Sequence, residues 1–201
     1  DVRLVRTDKM NALDEKMFSA LLSTTEELAN DNSVRCVVLS GEGRAFCAGL
    51  DMGNFGKMAD GSGGGSPTAR APLAERTHGI ANRPQQAVWG WHALPVPVIA
   101  AVHGVALGGG FQLSLGADIR IVHPATKMSI MEIKWGLVPD MAGTAIMRNL
   151  CRDDILRELT YTGRIFSGAD ALNYGFATEV SETPYERAME LAKTIASKNP
   201  D

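Results

Sequence analysis

Apolar residues recur along this chain with two different spacings. Met17, Phe18, Leu21, Leu22 and Leu28 return to one helical face and predict a helix from about Asp14 to Asn30. Short runs rich in β-branched residues alternate with such segments. Val2–Val5, Val34–Leu39, Val98–Val102, Asp118–Val122 and Phe176–Val180 read as strands, and Lys127 to Ile133 reads as extended. Further helices are predicted over Leu73–Ala93, Gly143–Cys151 and Asp153–Tyr161. Ser167-Gly-Ala-Asp170 is a capping box opening a short helix that Gly175 closes. Thr183-Pro184-Tyr185-Glu186 places a cap residue, a first-turn proline and an acidic residue ahead of a last helix that stops at Asn199-Pro200. Strands and helices alternate throughout, which gives an α/β class, and no fixed repeat period suggests a solenoid.

One stretch departs from these patterns. Val98 to Gln112 begins as a strand, breaks at Gly104, passes through Gly108-Gly109-Gly110, and enters an apolar segment that reads as a helix. A strand, a bare turn and a helix start bring free N–H groups to one place. No GxxxxGK[ST] phosphate loop, GxGxxG dinucleotide loop or GxSxG nucleophile elbow fits these glycines. A second glycine-rich region, 53–72, contains Gly61-Ser62-Gly63-Gly64-Gly65-Ser66-Pro67 and reads as a flexible loop, a lid or a tolerated surface insertion.

Composition narrows the classes. The 201 residues suffice for one domain with a substantial core, and 45% apolar with 21% charged residues is ordinary for a globular protein. A formal net charge of −3 gives no field for nucleic acid or an anionic membrane. No apolar run approaches the ~20 residues of a membrane helix. No signal-peptide pattern is visible, and three dispersed cysteines, Cys36, Cys47 and Cys151, read as reduced thiols. A cytoplasmic location is the corresponding expectation. No metal site is expected: the cysteines lack ligand spacing, and so do His78, His92, His103 and His123.

Several blocks together carry a resemblance. Arg44-Ala-Phe-Cys-Ala-Gly49-Leu50-Asp51, Pro97 through Gly110, and Ala117-Asp-Ile-Arg120 closely resemble the crotonase (enoyl-CoA hydratase/isomerase) superfamily. Met131 through Asp140, Leu159 through Arg164 and Ala169 through Gly175 continue the match in the family's order. The resemblance implies an α/β, crotonase-like (ClpP/crotonase) spiral of ββα units with two roughly perpendicular sheets, forming a single domain over 1–201. It implies an acyl-CoA (enoyl-CoA) thioester as substrate, with coenzyme A part of that substrate rather than a cofactor. It also implies a homotrimer or dimer of trimers. Relatives normally continue past Asn199 with a helical segment that is missing here.

By motif position, the N–H groups of Leu50 and Gly109 would form an oxyanion hole. Removing a proton beside a thioester carbonyl builds charge on its oxygen, which two preorganised amides stabilise. Main-chain donors explain why the motif needs glycines. Ala48, Leu50, Asp51 and Gly109 flank the turn where relatives hold CoA. Gly53 stands where they often carry a basic residue.

The acid–base residues depart from the hydratase pattern. Hydratases of the family use two glutamates; here the first position is Gln112 and the second Glu132. Gln112 cannot exchange a proton near neutral pH but could orient water or substrate. A single carboxylate is the arrangement of the family's 3-enoyl to 2-enoyl isomerases, so double-bond isomerisation is favoured, with Glu132 as acid/base. Asp140 falls where dienoyl-CoA isomerases and dehalogenases place an aspartate, which leaves a Glu132/Asp140 hydratase as an alternative. A catalytically silent acyl-CoA-binding protein is another. His103 reads as structural, Trp89, Trp91 and Trp135 as core or acyl-pocket wall, and Cys47 has no partner histidine to make it a nucleophile.

Overall fold

The computed structural model describes residues 1–51, 53 and 72–199. Five parallel strands form the larger sheet: β1 (Val2–Leu4), β2 (Val37–Gly41), β3 (Val98–Val102), β5 (Ile119–Val122) and β8 (Glu179–Val180), adjacent in that order. The smaller sheet pairs β4 (Val105–Leu107) with β6 (Lys127–Ser129) in parallel, and β6 with β7 (Phe166–Ser167) antiparallel. The helices are α1 (Glu15–Ala29), α2 (Arg83–His92), α3 (Gly109–Leu115), α4 (Gly143–Met147), α5 (Asp153–Thr162), α6 (Gly168–Tyr174) and α7 (Pro184–Ala196).

The central strands β2 and β3 are near-continuous apolar runs because both faces are covered. Val37, Leu39, Val98, Ala100 and Val102 face the main core, which holds Phe111 and Phe176 edge to face at 5.1 Å. The intervening Val38, Ile99, Ala101 and Ile121 face a second cluster completed by Tyr185, Ala188, Met189, Ala192 and Ile195 of α7. Alternation along each strand thus fills two layers at once. Only Gly104 and its neighbour His103 separate β3 from β4, so the chain passes directly from one sheet to the other at the head of the glycine-rich stretch.

Several predicted boundaries move, each for a local reason. The helix expected over 73–93 begins only at Arg83. There Asn82 accepts from Gln85 N–H and Gln85 Oε1 accepts from Asn82 N–H, both at 2.9 Å, a capping box that starts the helix independently of what precedes it. The strand expected from Val34 starts at Val37, because Val34 N–H closes a turn onto Asp31. The Phe176–Val180 strand shortens to its last two residues, because Phe176 and Ala177 N–H groups cap α6 through the Ala171 carbonyl. The helix expected to Cys151 ends at Met147. Thr183 precedes α7 but its hydroxyl makes no cap bond. The segment expected to stay extended to Ile133 leaves the sheet at Ser129 and folds into a 3₁₀ turn, Glu132–Trp135. Asp14 and Ser167 cap α1 and α6, the latter with the capping box expected. The Gly/Ser-rich loop of 53–72 lies outside the described residues apart from its end positions.

Candidate active site

The stretch Cys47–Asp51 is held from two sides. Cys47 bridges to Ala106 of β4 in parallel, and three residues further along each chain stand Leu50 and Gly109. On the other side Leu50 bridges to Leu13, with Leu13 N–H donating to Gly49 O at 2.7 Å and Asp51 N–H donating to Leu13 O at 3.0 Å. In such a parallel bridge the flanking residues supply the bonds and the middle residue's own N–H points the other way. Gly49 takes φ +88 with its α-carbon against the Leu107 carbonyl, and a side chain there would strike that oxygen.

Leu50 and Gly109 both lack a hydrogen-bond acceptor for their N–H among the described residues. Gly109 is the first residue of α3, where no intrahelical acceptor exists. Both residues line a cleft of ≈ 120 Å³ with Ala48, Gly108, Glu132 and Trp135. Two residues whose N–H groups no described residue accepts thus line one cavity together with Glu132.

Glu132 reaches that wall through strand register. Leu107 of β4 pairs with Ser129 of β6, so the turns after both strands open at the same end. Glu132 is 8% exposed and Gln112, in the first turn of α3, is 1% exposed. Gln112 Nε2 donates to Glu132 Oε1 at 2.6 Å, and Gln112 Oε1 accepts from Gly143 N–H at 3.0 Å. Glu132 Oε2 is buried without a partner. Burial pushes the Glu132 carboxyl above the ordinary glutamate range; the Gln112 bond opposes this and nearby Asp140 adds to it.

Asp140 is exposed and does not line the cleft, yet partial burial raises its carboxyl too. Asp51 binds Arg6 at 2.6 Å and accepts from Gly53 N–H at 2.9 Å, and both bonds hold its carboxyl below the usual range. It anchors the turn after Leu50. Cys47 is fully buried, donates to Asn11 O, and burial pushes its thiol up to about 12, which removes it as a nucleophile. His103 bonds Gly43 O at 2.9 Å, a structural role. Trp91 is core, whereas Trp135 is half exposed at the cleft.

The sequence matches the enoyl-CoA hydratase/isomerase family over residues 1–201. The chain belongs to that family. It is 31% identical over 203 residues to the Bacillus subtilis (strain 168) protein named "Probable enoyl-CoA hydratase", covering 99% of this chain and 73% of that protein. It is also 31% identical over 201 residues to 1,2-epoxyphenylacetyl-CoA isomerase of Escherichia coli (strain K12), covering 97% and 71%. The crystal structure of an enoyl-CoA hydratase from Bacillus anthracis superposes with a TM-score of 0.82 at 28% identity, covering 98% of this chain and 73% of that one. The crotonase fold expected from the motifs is therefore the fold of this enoyl-CoA hydratase/isomerase family member. Among the described residues, no helix is long and apolar enough to cross a membrane.

Sequence reasoning missed Arg6 and Leu13, which brace the Leu50 turn, and Gly143, which holds the far end of Gln112. A lone arginine in a short loop carries no motif. The Gly143 contact depends on a backbone N–H, which no side-chain pattern reports.

Proposed function

We propose that this chain moves the double bond of an enoyl-CoA from the 3- to the 2-position, with Glu132 as the single proton carrier. The observation that carries the reading is the state of the two Glu132 oxygens: Oε1 is taken by Gln112, whereas Oε2 is buried without a hydrogen-bond partner, on a residue that lines the cleft. Glu132 Oε2 removes a proton from C2 of the 3-enoyl thioester. The electron pair spreads over C2, C3, C4 and the thioester oxygen, whose charge the Leu50 and Gly109 N–H groups receive. The protonated Glu132 then returns the proton at C4, leaving the 2,3 double bond and a carboxylate ready for another cycle. A carboxyl raised by burial suits both steps, because it holds the proton long enough to return it.

Gln112 has no proton to exchange and both ends of its amide are occupied, which supports one carboxylate rather than a pair. Hydration by Glu132 with Asp140 is the second reading, favoured by the influence of Asp140 on Glu132. Separate assays of 3-enoyl-CoA and 2-enoyl-CoA, read by the conjugated-thioester absorbance, distinguish them. Isomerisation gives a gain from the 3-enoyl substrate that Glu132→Gln abolishes. Loss of absorbance from the 2-enoyl substrate at a comparable rate favours hydration. Binding without change in either assay indicates a silent acyl-CoA binder.

A further inference from the structure

The two cleft amides are held by different means. Gly109 N–H shares a peptide with the Gly108 carbonyl, which accepts from Gln112 N–H at 3.0 Å in the first turn of α3. A helix fixes that peptide plane. Leu50 belongs to no helix or extended strand. Its N–H shares a planar trans peptide with the Gly49 carbonyl, so the two point in opposite directions. The Gly49 carbonyl is held by Leu13 N–H, and the aim of the Leu50 N–H therefore follows the position of the Leu13 main chain.

Leu13 sits in an unusual segment. Met10 and Asn11 both take left-handed conformations, φ 50 and φ 57, which non-glycine residues seldom adopt. The Asn11 side chain donates to Glu42 O at 3.1 Å and Ala45 O at 2.8 Å, and Ala48 N–H donates to Met10 O at 2.9 Å. Arg6 closes the arrangement. Its Nη1 donates to Ala12 O at 2.9 Å, and its Nη2 lies 2.6 Å from Asp51 and 3.5 Å from Asp14. Ala12 and Asp14 bracket Leu13 on one segment, and Asp51 follows Leu50 on the other. A planar guanidinium fork can span three such acceptors, and an ammonium cannot reproduce its geometry.

We infer that Arg6 is a positioning residue for the oxyanion site: it clamps the Ala12–Asp14 segment to Asp51 and so keeps the Gly49–Leu50 peptide turned with its N–H into the cleft. The inference rests on the proposed role of Leu50 N–H in binding the thioester oxygen. Arg6 does not line the cleft, so its effect falls on stabilisation of the enolate rather than on binding of the ground state.

The test uses the full chain, with Arg6→Met and Arg6→Lys each made alone and in a Glu132→Gln background. The probe is 2-butenoyl-CoA, whose carbonyl stretch falls in frequency when the oxyanion amides polarise it. Arg6→Met is expected to lose at least half of that shift while the Kd of the probe changes by less than about threefold. With Glu132 present, kcat for a 3-enoyl-CoA falls by about 10- to 100-fold at nearly constant KM. Arg6→Lys recovers part of both losses. A full carbonyl shift and kcat within about threefold in folded Arg6→Met overturn the inference. Should Arg6→Met fail to fold, Arg6→Lys decides, and an unaltered shift and kcat there overturn it equally. Absence of any shift with Arg6 present overturns the oxyanion reading of the cleft, and this inference with it.

Discussion

Gln112 Nε2 lies 2.6 Å from Glu132 Oε1, and this bond divides the carboxylate into one bonded oxygen and one buried oxygen without a partner. The other end of the same amide is tied to Gly143, so the division is held by two elements, α3 and α4, rather than by a free side chain.

Replacing Glu132 by Gln removes the proton carrier, and kcat is expected to fall by about 10²- to 10⁴-fold. Stability should move the opposite way. The folded Glu132 carboxyl lies above its ordinary value of 4.5, so the native state binds more protons than the unfolded state between the two values. Wild-type stability therefore declines as pH rises through that window, and the variant escapes the decline. Thermal melts should show the variant gaining on the wild type from acid to neutral pH. A difference in Tm independent of pH would count against a raised Glu132.

Gln112→Leu leaves Glu132 Oε1 and Gly143 N–H without partners, at a cost of about 1–3 kcal/mol in urea unfolding. Because the Gln112 bond favours the charged carboxylate, its loss raises Glu132 further. The acid limb of kcat/KM should move to higher pH. An unmoved limb would show that Gln112 does not tune the base. Gln112→Glu supplies a second carboxylate and is expected to add measurable loss of 2-enoyl-CoA absorbance.

Asp140→Asn removes a negative charge that raises Glu132, so the acid limb should move to lower pH. On the isomerase reading, kcat at neutral pH stays within about fivefold, since Asp140 acts only through its field. A loss of about 100-fold or more would favour the Glu132/Asp140 pair.

Adjacent glycines should respond differently to alanine. A Cβ on Gly109 meets Met141 Sδ at 2.9 Å and Leu13 Cδ1 at 3.0 Å, the ends of side chains that can move. A Cβ on Gly110 meets the Cys47 carbonyl, which belongs to the main chain that carries Leu50. Gly109→Ala should cost about 1 kcal/mol, and Gly110→Ala about 3 kcal/mol or more, with loss of activity in whatever fraction folds. Equal unfolding midpoints for the two variants would contradict the packing described.

Helix α1 was legible from the recurrence of Met17, Phe18, Leu21, Leu22 and Leu28 on one face, and the capping box of α6 because its signal is local: Ser167 and Asp170 bond each other. The strand ends were less legible, since pairing decides them. Nothing within Lys127–Ile133 marks Ser129 as its last paired residue; the end of β4 does. At the site, positions 50, 109, 112 and 132 stood out through the resemblance to the crotonase superfamily. What the resemblance could not supply was orientation. That Gln112 faces Glu132, that Asp51 is committed to Arg6, and that Asp140 stands outside the cleft are tertiary facts.

The two amides at the cleft belong to the main chain, which has a consequence for descent. A substitution at Leu50 or Gly109 changes what hangs from the backbone, but short of proline it cannot delete the N–H. The side chains that decide what happens to the proton, at 112, 132 and 140, lie on separate turns of the chain. On the proposed reading, a lineage with this backbone inherits its hold on the enolate whenever it folds. Such a lineage can then exchange one reaction for another by altering three side chains.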